Sequence, residues 1–167
     1  MTNMQYTANV FVNCPFDNDY IELRNAMLFA IYDCGFIPRC ALEEDNGGNV
    51  RFDKIYRLIK DSKFGIHDIS RTELDVENDL PRFNMPLELG VFLGAKKFGN
   101  FSNKDKNCLI VDKELYRYQK YLSDIAGHDI RSHENRPDKL IKIIRDWLNM
   151  ESGRKTSIVD PNFRTVN

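Results

Sequence analysis

The sequence lacks the features that mark several large classes of protein. None of its apolar runs approaches the roughly 18 residues that a helix needs to cross a bilayer. Its first residues, 1–6, do not place a basic segment before an apolar one, as a secretion signal does. The formal net charge is -1, and no long basic run occurs. We therefore expect a cytoplasmic protein with neither a nucleic-acid partner nor a membrane partner.

Cysteine is scarce and shows no pairing pattern. The 167 residues include four cysteines, none spaced as C-x-x-C: Cys14, Cys34, Cys40 and Cys108. A structural zinc site needs paired Cys or His ligands at short spacing, so no metal site is expected. The four thiols are predicted to be reduced and partly buried.

Several nucleotide-binding and nucleophile motifs are also missing. The chain has no G-x-G-x-x-G run and no Walker loop, which argues against a dinucleotide-binding Rossmann domain and a P-loop NTPase. It has no G-x-S-x-G elbow either, so an α/β-hydrolase is not expected. Carboxylates are therefore the main candidates for chemistry.

Short runs rich in β-branched and aromatic residues alternate with patterns of helical period. Strands are predicted at residues 8–14, 36–42, 64–69 and 108–112, with a further short strand before the last helix. Pro38 suits an edge strand or the start of a strand, because it cannot donate a ladder hydrogen bond. The alternation predicts a flavodoxin-like three-layer α/β sandwich, with a parallel sheet of four to five strands covered on both faces.

Two helices carry local signals at their ends or along one face. Asp19 and Glu22 have the spacing of a capping box, which predicts a helix start at Asp19. Gly90 and Gly94, four residues apart in a later helix, are predicted to let that helix approach the sheet closely.

The most informative stretch joins a buried strand to a helix start. Residues 64–71 end in acid and base, with Asp68 at the strand end, and residues 83–90 open a helix. Pro86 suits the first turn of that helix and would place Glu88 in the same turn. There, Glu88 is either a ligand-facing carboxylate or simply an acid favoured by the helix dipole. Strand ends and helix starts meet at the edge where open α/β sheets bind ligands.

Four carboxylates are candidates for this edge. Asp68 and Glu88 are the central pair, and Asp17 and Asp112 follow or end other strands. Arg71 could pair with one of these acids or hold a phosphate. Paired acids without metal spacing suit chemistry at an acetal-like carbon, such as cleavage of an N-glycosidic bond. A Mg²⁺ pocket is an alternative use of the same acids.

The histidines and tyrosines are predicted to have structural rather than catalytic roles. His67 lies on a strand and is predicted to be a satisfied core histidine rather than a base. His128 and His133 lie in polar turns, where solvated side chains are expected. The tyrosines of residues 115–122 lie at helical spacing and are predicted to pack in the core or at an interface rather than against a base.

Three runs together resemble the nucleoside 2-deoxyribosyltransferase-like proteins and the related TIR-like domains, over about residues 8–112: Val10–Phe16, His67–Ser70 and Pro86–Gly90. The resemblance implies that Glu88 is the nucleophile or the carboxylate that stabilises an oxocarbenium ion. It implies that Asp68 orients base or sugar and that Phe16 lies near a nucleobase. Where the transferases have an Asp-x-Gly-Thr-like run, this chain has residues 83–86, and the Trp-Cys-x-x-Glu run of enzymatic TIR domains is absent.

The leading prediction is an enzyme that acts on the N-glycosidic bond of a nucleoside, a nucleotide or NAD. Arg71 and Asn84 would be ligand contacts, and no cofactor is expected beyond NAD as a substrate. The alternative is a non-catalytic nucleotide-sensing or oligomerising TIR-like module, and bacterial antiviral defence is a setting for either. A third possibility is an interaction scaffold without a ligand. Residues 1–150 would form the domain of a homo-oligomer, and residues 151–167 a tail that is disordered or packs on a neighbouring subunit.

Overall fold

The computed structural model describes residues 4–43, 51–74 and 79–153. Across these ranges, five strands form one parallel sheet in the order β2-β1-β3-β4-β5. The strands are β1 (Asn9–Asn13), β2 (Ile37–Arg39), β3 (Phe64–Asp68), β4 (Asn107–Asp112) and β5 (Ile130–Ser132). This is the strand order of flavodoxin-like sheets, so the predicted fold class is confirmed.

Helices cover both faces of the sheet. They are α1 (Met4–Ala8), α2 (Ile21–Asp33), α3 (Arg51–Lys60), α4 (Asn84–Phe98) and α5 (Pro137–Ser152). Val10 and Val12 of β1 pack in one core with α2 and α5, whereas Phe11 packs in another with α3 and Phe92 of α4. Because successive side chains of a strand point to opposite faces, β1 supplies both cores and is buried throughout.

The predicted edge position of β2 is confirmed, although the strand is shorter than predicted. Pro38 lies in an edge strand that pairs only with β1. The chain turns directly after Arg39, because the backbone N–H of Cys40 donates to the Glu43 carboxylate at 2.6 Å and that of Glu43 donates to the Cys40 carbonyl at 3.2 Å. This local turn ends the ladder at Arg39.

The predicted capping box is wrong. The Asp17 side chain accepts a hydrogen bond from the Tyr20 backbone N–H at 3.1 Å and caps a 3₁₀ turn, Asn18–Tyr20. Helix α2 begins only after this turn, at Ile21. Asp19 lies within the turn and has its carboxylate 3.4 Å from Arg71.

The close approach predicted for Gly90 and Gly94 is also wrong. A Cβ atom added to either glycine would meet no heavy atom within 4 Å, so both face away from the sheet. The tight contact is at Gly65 of β3, where a Cβ would lie 2.8 Å from the Phe92 ring. Gly65 therefore lets α4 pack against the sheet at Phe92.

No helix among the described residues has the length and apolar character needed to cross a membrane. Helix α5 continues two residues past the predicted end of the domain at 150, and residues 154–167 lie outside the described ranges. The acidic loop at 43–49 is described only at Glu43.

Candidate functional site

A cleft of about 490 Å³ opens at the carboxyl edge of the sheet. Its size falls within the range of small-molecule sites, and ligands of open α/β sheets bind at this edge. The lining residues follow four of the strands: Asp19, Tyr20, Glu22, Leu23, Ser70, Arg71, Glu73, Lys113, Asn135 and Pro137. We refer to it as the carboxyl-edge cleft.

Asp68 lies at the end of β3 and is completely buried. Its carboxylate accepts hydrogen bonds from the Tyr20 hydroxyl and, at 2.7 Å, from the Ser70 backbone N–H. Burial alone would raise the pKa of Asp68, but the contacts with His133, Ser70 and Tyr20 hold it below its usual value. Asp68 joins the loops after β1 and β3, and it lies beneath the surface instead of facing a ligand.

The predicted solvation of His133 is wrong. This histidine follows β5 and is completely buried, with Nε2 3.1 Å from the Asp68 carboxylate. Its Nδ1 accepts a hydrogen bond from the Asn135 backbone N–H at 3.0 Å, which assigns the proton of a neutral ring to Nε2. The distance between Nε2 and the Asp68 carboxylate is short, but the two groups are not aligned for a hydrogen bond. Their interaction is therefore electrostatic.

Asp112 also ends a strand, β4, and is completely buried. Arg117 donates to Asp112 Oδ1 from Nε at 2.9 Å and from Nη2 at 2.7 Å. The Tyr121 hydroxyl donates to Oδ2 at 2.9 Å. Burial and this contact raise the pKa of Tyr121. Instead of facing a ligand, Asp112 anchors the segment after β4. This segment forms a 3₁₀ turn, Arg117–Lys120, where the spacing of the tyrosines in residues 115–122 predicts a longer helical stretch.

The structure brings Asp17 and Arg71 together, as the sequence suggested for an acid and a base at this edge. Arg71 Nη2 lies 2.7 Å from Asp17 Oδ1, and both side chains are partly exposed. The same carboxylate caps the turn before α2, so one acid positions both that turn and Arg71. Of these two residues, only Arg71 lines the carboxyl-edge cleft.

Glu88 lies one helical turn further along than predicted. Helix α4 begins at Asn84, with the first bond from the Leu87 N–H to the Phe83 carbonyl, and has no acid in its first turn. The helix dipole stabilises acidic side chains mainly in the first turn, so it does not explain why residue 88 is a glutamate. Asn84 is exposed at the helix start, and Glu88 is half-buried.

Asp68 and Glu88 both act electrostatically on Cys14, which lies just past the end of β1. Burial raises the pKa of the Cys14 thiol, and both carboxylates raise it further. Glu88 does not line the carboxyl-edge cleft. Glu88 therefore lies outside the cleft on the α2 and α5 side, but within electrostatic range of Cys14.

A buried amide positions the start of α4. Asn13 Nδ2, at the end of β1, donates to the Met85 carbonyl at 2.8 Å and lies 3.0 Å from His67 Nδ1. His67 is in the core as predicted, and burial lowers its pKa to about 3, so it is neutral. Its Nε2 has no hydrogen-bond partner among the described residues, so the histidine is not fully satisfied.

Phe16 follows β1, and the structure places it partly in the core. Its side chain packs against the cluster formed by α2, α5 and β1. Its carbonyl accepts a hydrogen bond from Arg24 at 3.2 Å. In the part of the chain that the structure describes, no group of His, Cys, Asp and Glu has an arrangement that could hold a metal ion.

A scan against models of protein families gives no match for this chain. A search of curated proteins gives none either. The resemblance to deoxyribosyltransferase-like and TIR-like proteins therefore stays a prediction that depends on the three short runs and their places in the fold.

Proposed function

We propose that this protein cleaves the N-glycosidic bond of a nucleoside, a nucleotide or NAD, with Glu88 as the carboxylate that meets the sugar. The observation that carries the proposal is the hydrogen bond of 2.8 Å from Asn13, at the end of β1, to the Met85 carbonyl, which holds the start of α4, with Glu88, near the strand end that bears Asp68. The ends of β1 and β3 lie side by side at the point where the strand order reverses and where open α/β sheets bind ligands.

The two carboxylates take different roles in this proposal. Glu88 is half-buried on a long helix, so it can reach a ligand while its position stays fixed. It would attack the anomeric carbon or stabilise the oxocarbenium ion as the base departs. Asp68 is a positioning residue, because its oxygens are engaged by Tyr20, Ser70 and His133.

The test is chromatographic. Purified protein is incubated with NAD, deoxynucleosides and nucleotides, and free base or nicotinamide is quantified. We expect Glu88→Gln to lower product formation by about 10³-fold or more, the scale of loss when a charge-stabilising or covalent group is removed.

Asp146→Asn is the matched control, since Asp146 is an exposed helical acid on α5. It should leave turnover unchanged. A Glu88→Gln protein that keeps full activity would remove Glu88 from the chemistry.

The carboxyl-edge cleft favours a second candidate, a nucleotide-sensing module without turnover. Arg71 and Lys113 line this cleft, and Glu88 does not. Lys113 pairs with Glu73, so a ligand phosphate would have to compete with that carboxylate. A nucleotide that raises the melting temperature without any product, and whose effect Arg71→Ala removes, would favour sensing over catalysis.

A further inference from the structure

The three most exposed large apolar side chains of the described residues lie at the amino edge of the sheet, where the strands begin. They are Met4 at 86%, Phe98 at 87% and Phe101 at 86%. Met4 begins α1, the helix that leads into β1. Phe98 ends α4, and Phe101 begins a 3₁₀ turn, Phe101–Asp105, that leads into β4. Three separate pieces of the chain's surface therefore present an apolar side chain at the same edge.

The two phenylalanines lie on an ordered turn. The Gly99 N–H donates to the Ala95 carbonyl at 3.0 Å and closes the end of α4. A Cβ atom on Gly99 would overlap the Ala95 carbonyl and the Asn103 side chain, so only glycine fits this packing. The turn therefore holds Phe98 and Phe101 outward in fixed positions.

Lysines surround these side chains. A cleft of about 300 Å³ at the amino edge has four lysines and two acids as its charged lining residues: Lys63, Lys96, Lys104, Lys106, Asp105 and Glu151. The Lys106 ammonium is engaged by the carbonyls of Ile59 and Ser62, which leaves the other three lysines to contact an anion.

The lysines and the phenylalanines share one surface. Lys96 and Lys97 are exposed and directly precede Phe98. Lys104 follows Phe101 by three residues in the 3₁₀ turn, where side chains at this spacing lie on the same side. The amino edge therefore combines isolated apolar side chains with a positive charge.

We propose that the amino edge binds the surface of an anionic lipid bilayer, with Phe98 and Phe101 inserted at the level of the headgroups. Binding at such a surface increases with the apolar area that is buried and with the attraction between basic side chains and anionic lipids. Lysine suits this position, because its aliphatic stem lies along apolar groups while its ammonium stays with the headgroup phosphates.

The composition of the amino edge favours a bilayer over other anionic partners. Lysine is depleted in protein–protein interfaces, and their cores are contiguous apolar patches instead of single side chains between charges. Single-stranded nucleic acid stacks its bases on aromatic rings along a basic groove, and Met4 offers no ring for stacking. A fluid bilayer needs no complementary shape, so separate apolar side chains can each enter it.

The sequence predicts no membrane partner, because no long basic run occurs in it. Lys63, Lys96 and Lys104 are far apart in the chain and meet only around the cleft. The carboxyl edge lies at the opposite end of the strands, so a bilayer at the amino edge would leave the carboxyl-edge cleft open. Bilayer binding does not depend on any chemistry at Glu88, and Glu88→Gln should bind as the wild type does.

Co-sedimentation of the full chain with lipid vesicles tests the proposal. We expect binding to vesicles of phosphatidylcholine and phosphatidylserine in equal parts, little binding to phosphatidylcholine alone, and weaker binding as salt is added. A wild type that does not bind the anionic vesicles, or binds both kinds equally, would overturn the proposal. Binding to a single-stranded oligonucleotide in place of vesicles would overturn it in favour of a nucleic-acid partner.

Matched variants separate the apolar and the charged contributions. Phe98→Gln and Phe101→Gln should each weaken vesicle binding by about tenfold or more, whereas Phe29→Gln, which removes an exposed aromatic of α2, should not. Lys97→Gln should weaken it by about fivefold, whereas Lys120→Gln, at the carboxyl edge, should leave it unchanged. Equal binding by the amino-edge variants and their controls would overturn the assignment of the surface.

Tryptophan fluorescence tests insertion. The single tryptophan of the chain, Trp147, is buried in the core, so a new exposed indole reports its own surroundings. Emission of Phe101→Trp should shift to shorter wavelength on anionic vesicles and be quenched by brominated lipid, whereas Phe29→Trp should show neither change. Equal quenching of the two variants would overturn insertion at the amino edge.

Discussion

The two edges of the sheet bury charges of opposite sign. At the amino edge, the Lys106 ammonium is buried and donates to the carbonyl of Ile59 at 2.6 Å and to that of Ser62. At the carboxyl edge, Asp68 and Asp112 are buried and accept hydrogen bonds from side chains and backbone N–H groups.

The direction in which helices run between parallel strands explains why the buried charges differ in sign at the two edges. In a parallel sheet, each helix starts at the carboxyl edge and ends at the amino edge. Unpaired N–H groups therefore gather at the first edge and unpaired carbonyls at the second. Lys106 satisfies the carbonyls at the end of α3, whereas Asp17 satisfies an N–H before α2. Charged residues also line clefts at both edges, one of about 490 Å³ at the carboxyl edge and one of about 300 Å³ beside Lys106.

Loss of Asp68 is expected to have the largest effect on stability. Asp68→Ala would leave the Tyr20 hydroxyl and the Ser70 N–H without their acceptor, and removing one partner of a buried charged cluster costs about 3–5 kcal/mol. Urea unfolding at one fixed protein concentration measures this cost. Asp146→Asn should change the free energy of unfolding by less than about 0.5 kcal/mol.

The same variant should change the response to acid. The folded protein holds the pKa of Asp68 below its ordinary value of 3.8, so the stabilisation is present above that pH and is lost as the pH falls below it. Asp68→Ala should remove this part of the acid dependence. If the free energy of unfolding falls with acid as steeply in Asp68→Ala as in the wild type, the contacts of this carboxylate do not stabilise the fold.

Loss of Lys106 should cost less. Lys106→Met keeps the aliphatic volume but leaves the carbonyls of Ile59 and Ser62 without their donor, a loss of about 2–3 kcal/mol. Burial lowers the pKa of Lys106 to about 8, against 10.5 for the unfolded chain. The unfolded chain then binds the extra proton between these values, so wild-type stability should rise with pH in this range relative to Lys106→Met. Equal pH profiles for the two proteins would contradict this.

The smallest expected effect distinguishes the observed cap from the predicted one. Asp17→Ala removes the acceptor of the Tyr20 N–H and should lower the free energy of unfolding by about 1 kcal/mol. Asp19→Ala should cost less than about 0.5 kcal/mol, because its carboxylate is largely exposed. If both variants lowered the free energy of unfolding equally, the hydrogen bond between the Asp17 side chain and the Tyr20 N–H would not be the source of the loss.

Predictions within one element held in part, since the capping box is wrong and the last helix is close to what its sequence predicts. A start at Pro137 and the helical period predict an inward face in that helix of Leu140, Ile141, Ile144, Trp147 and Leu148. In α5, Pro137 lies in the first turn and these side chains are buried, except that Ile141 is partly buried. For α2, the same period predicts one buried face of Ile21, Met27, Leu28, Ile31 and Tyr32, but Ile21 and Tyr32 are exposed. Helix α2 is apolar on nearly every side, so its sequence does not say which side is covered.

Predictions that depend on two elements were less complete. Asp68 was placed correctly at a strand end, but its contact with His133 was missed, because nothing local shows that the ends of β3 and β5 reach each other around β4. One signal was available: His133 directly follows a predicted short strand, so it should lie at the same edge of the sheet as Asp68. Asp17 and Arg71 were both candidates, and only the fold shows that they pair.

The sequence by itself determined the alternation of strands and helices, the edge position of the strand with Pro38, and the presence of acids at the carboxyl edge. These features follow from residue period and backbone chemistry, which act over a few neighbouring residues. The tertiary structure decided which acids are buried, which turn of α4 holds Glu88, and that Gly90 and Gly94 face outward. Those features depend on how elements that are distant in the chain pack against one another, and no local pattern encodes that packing.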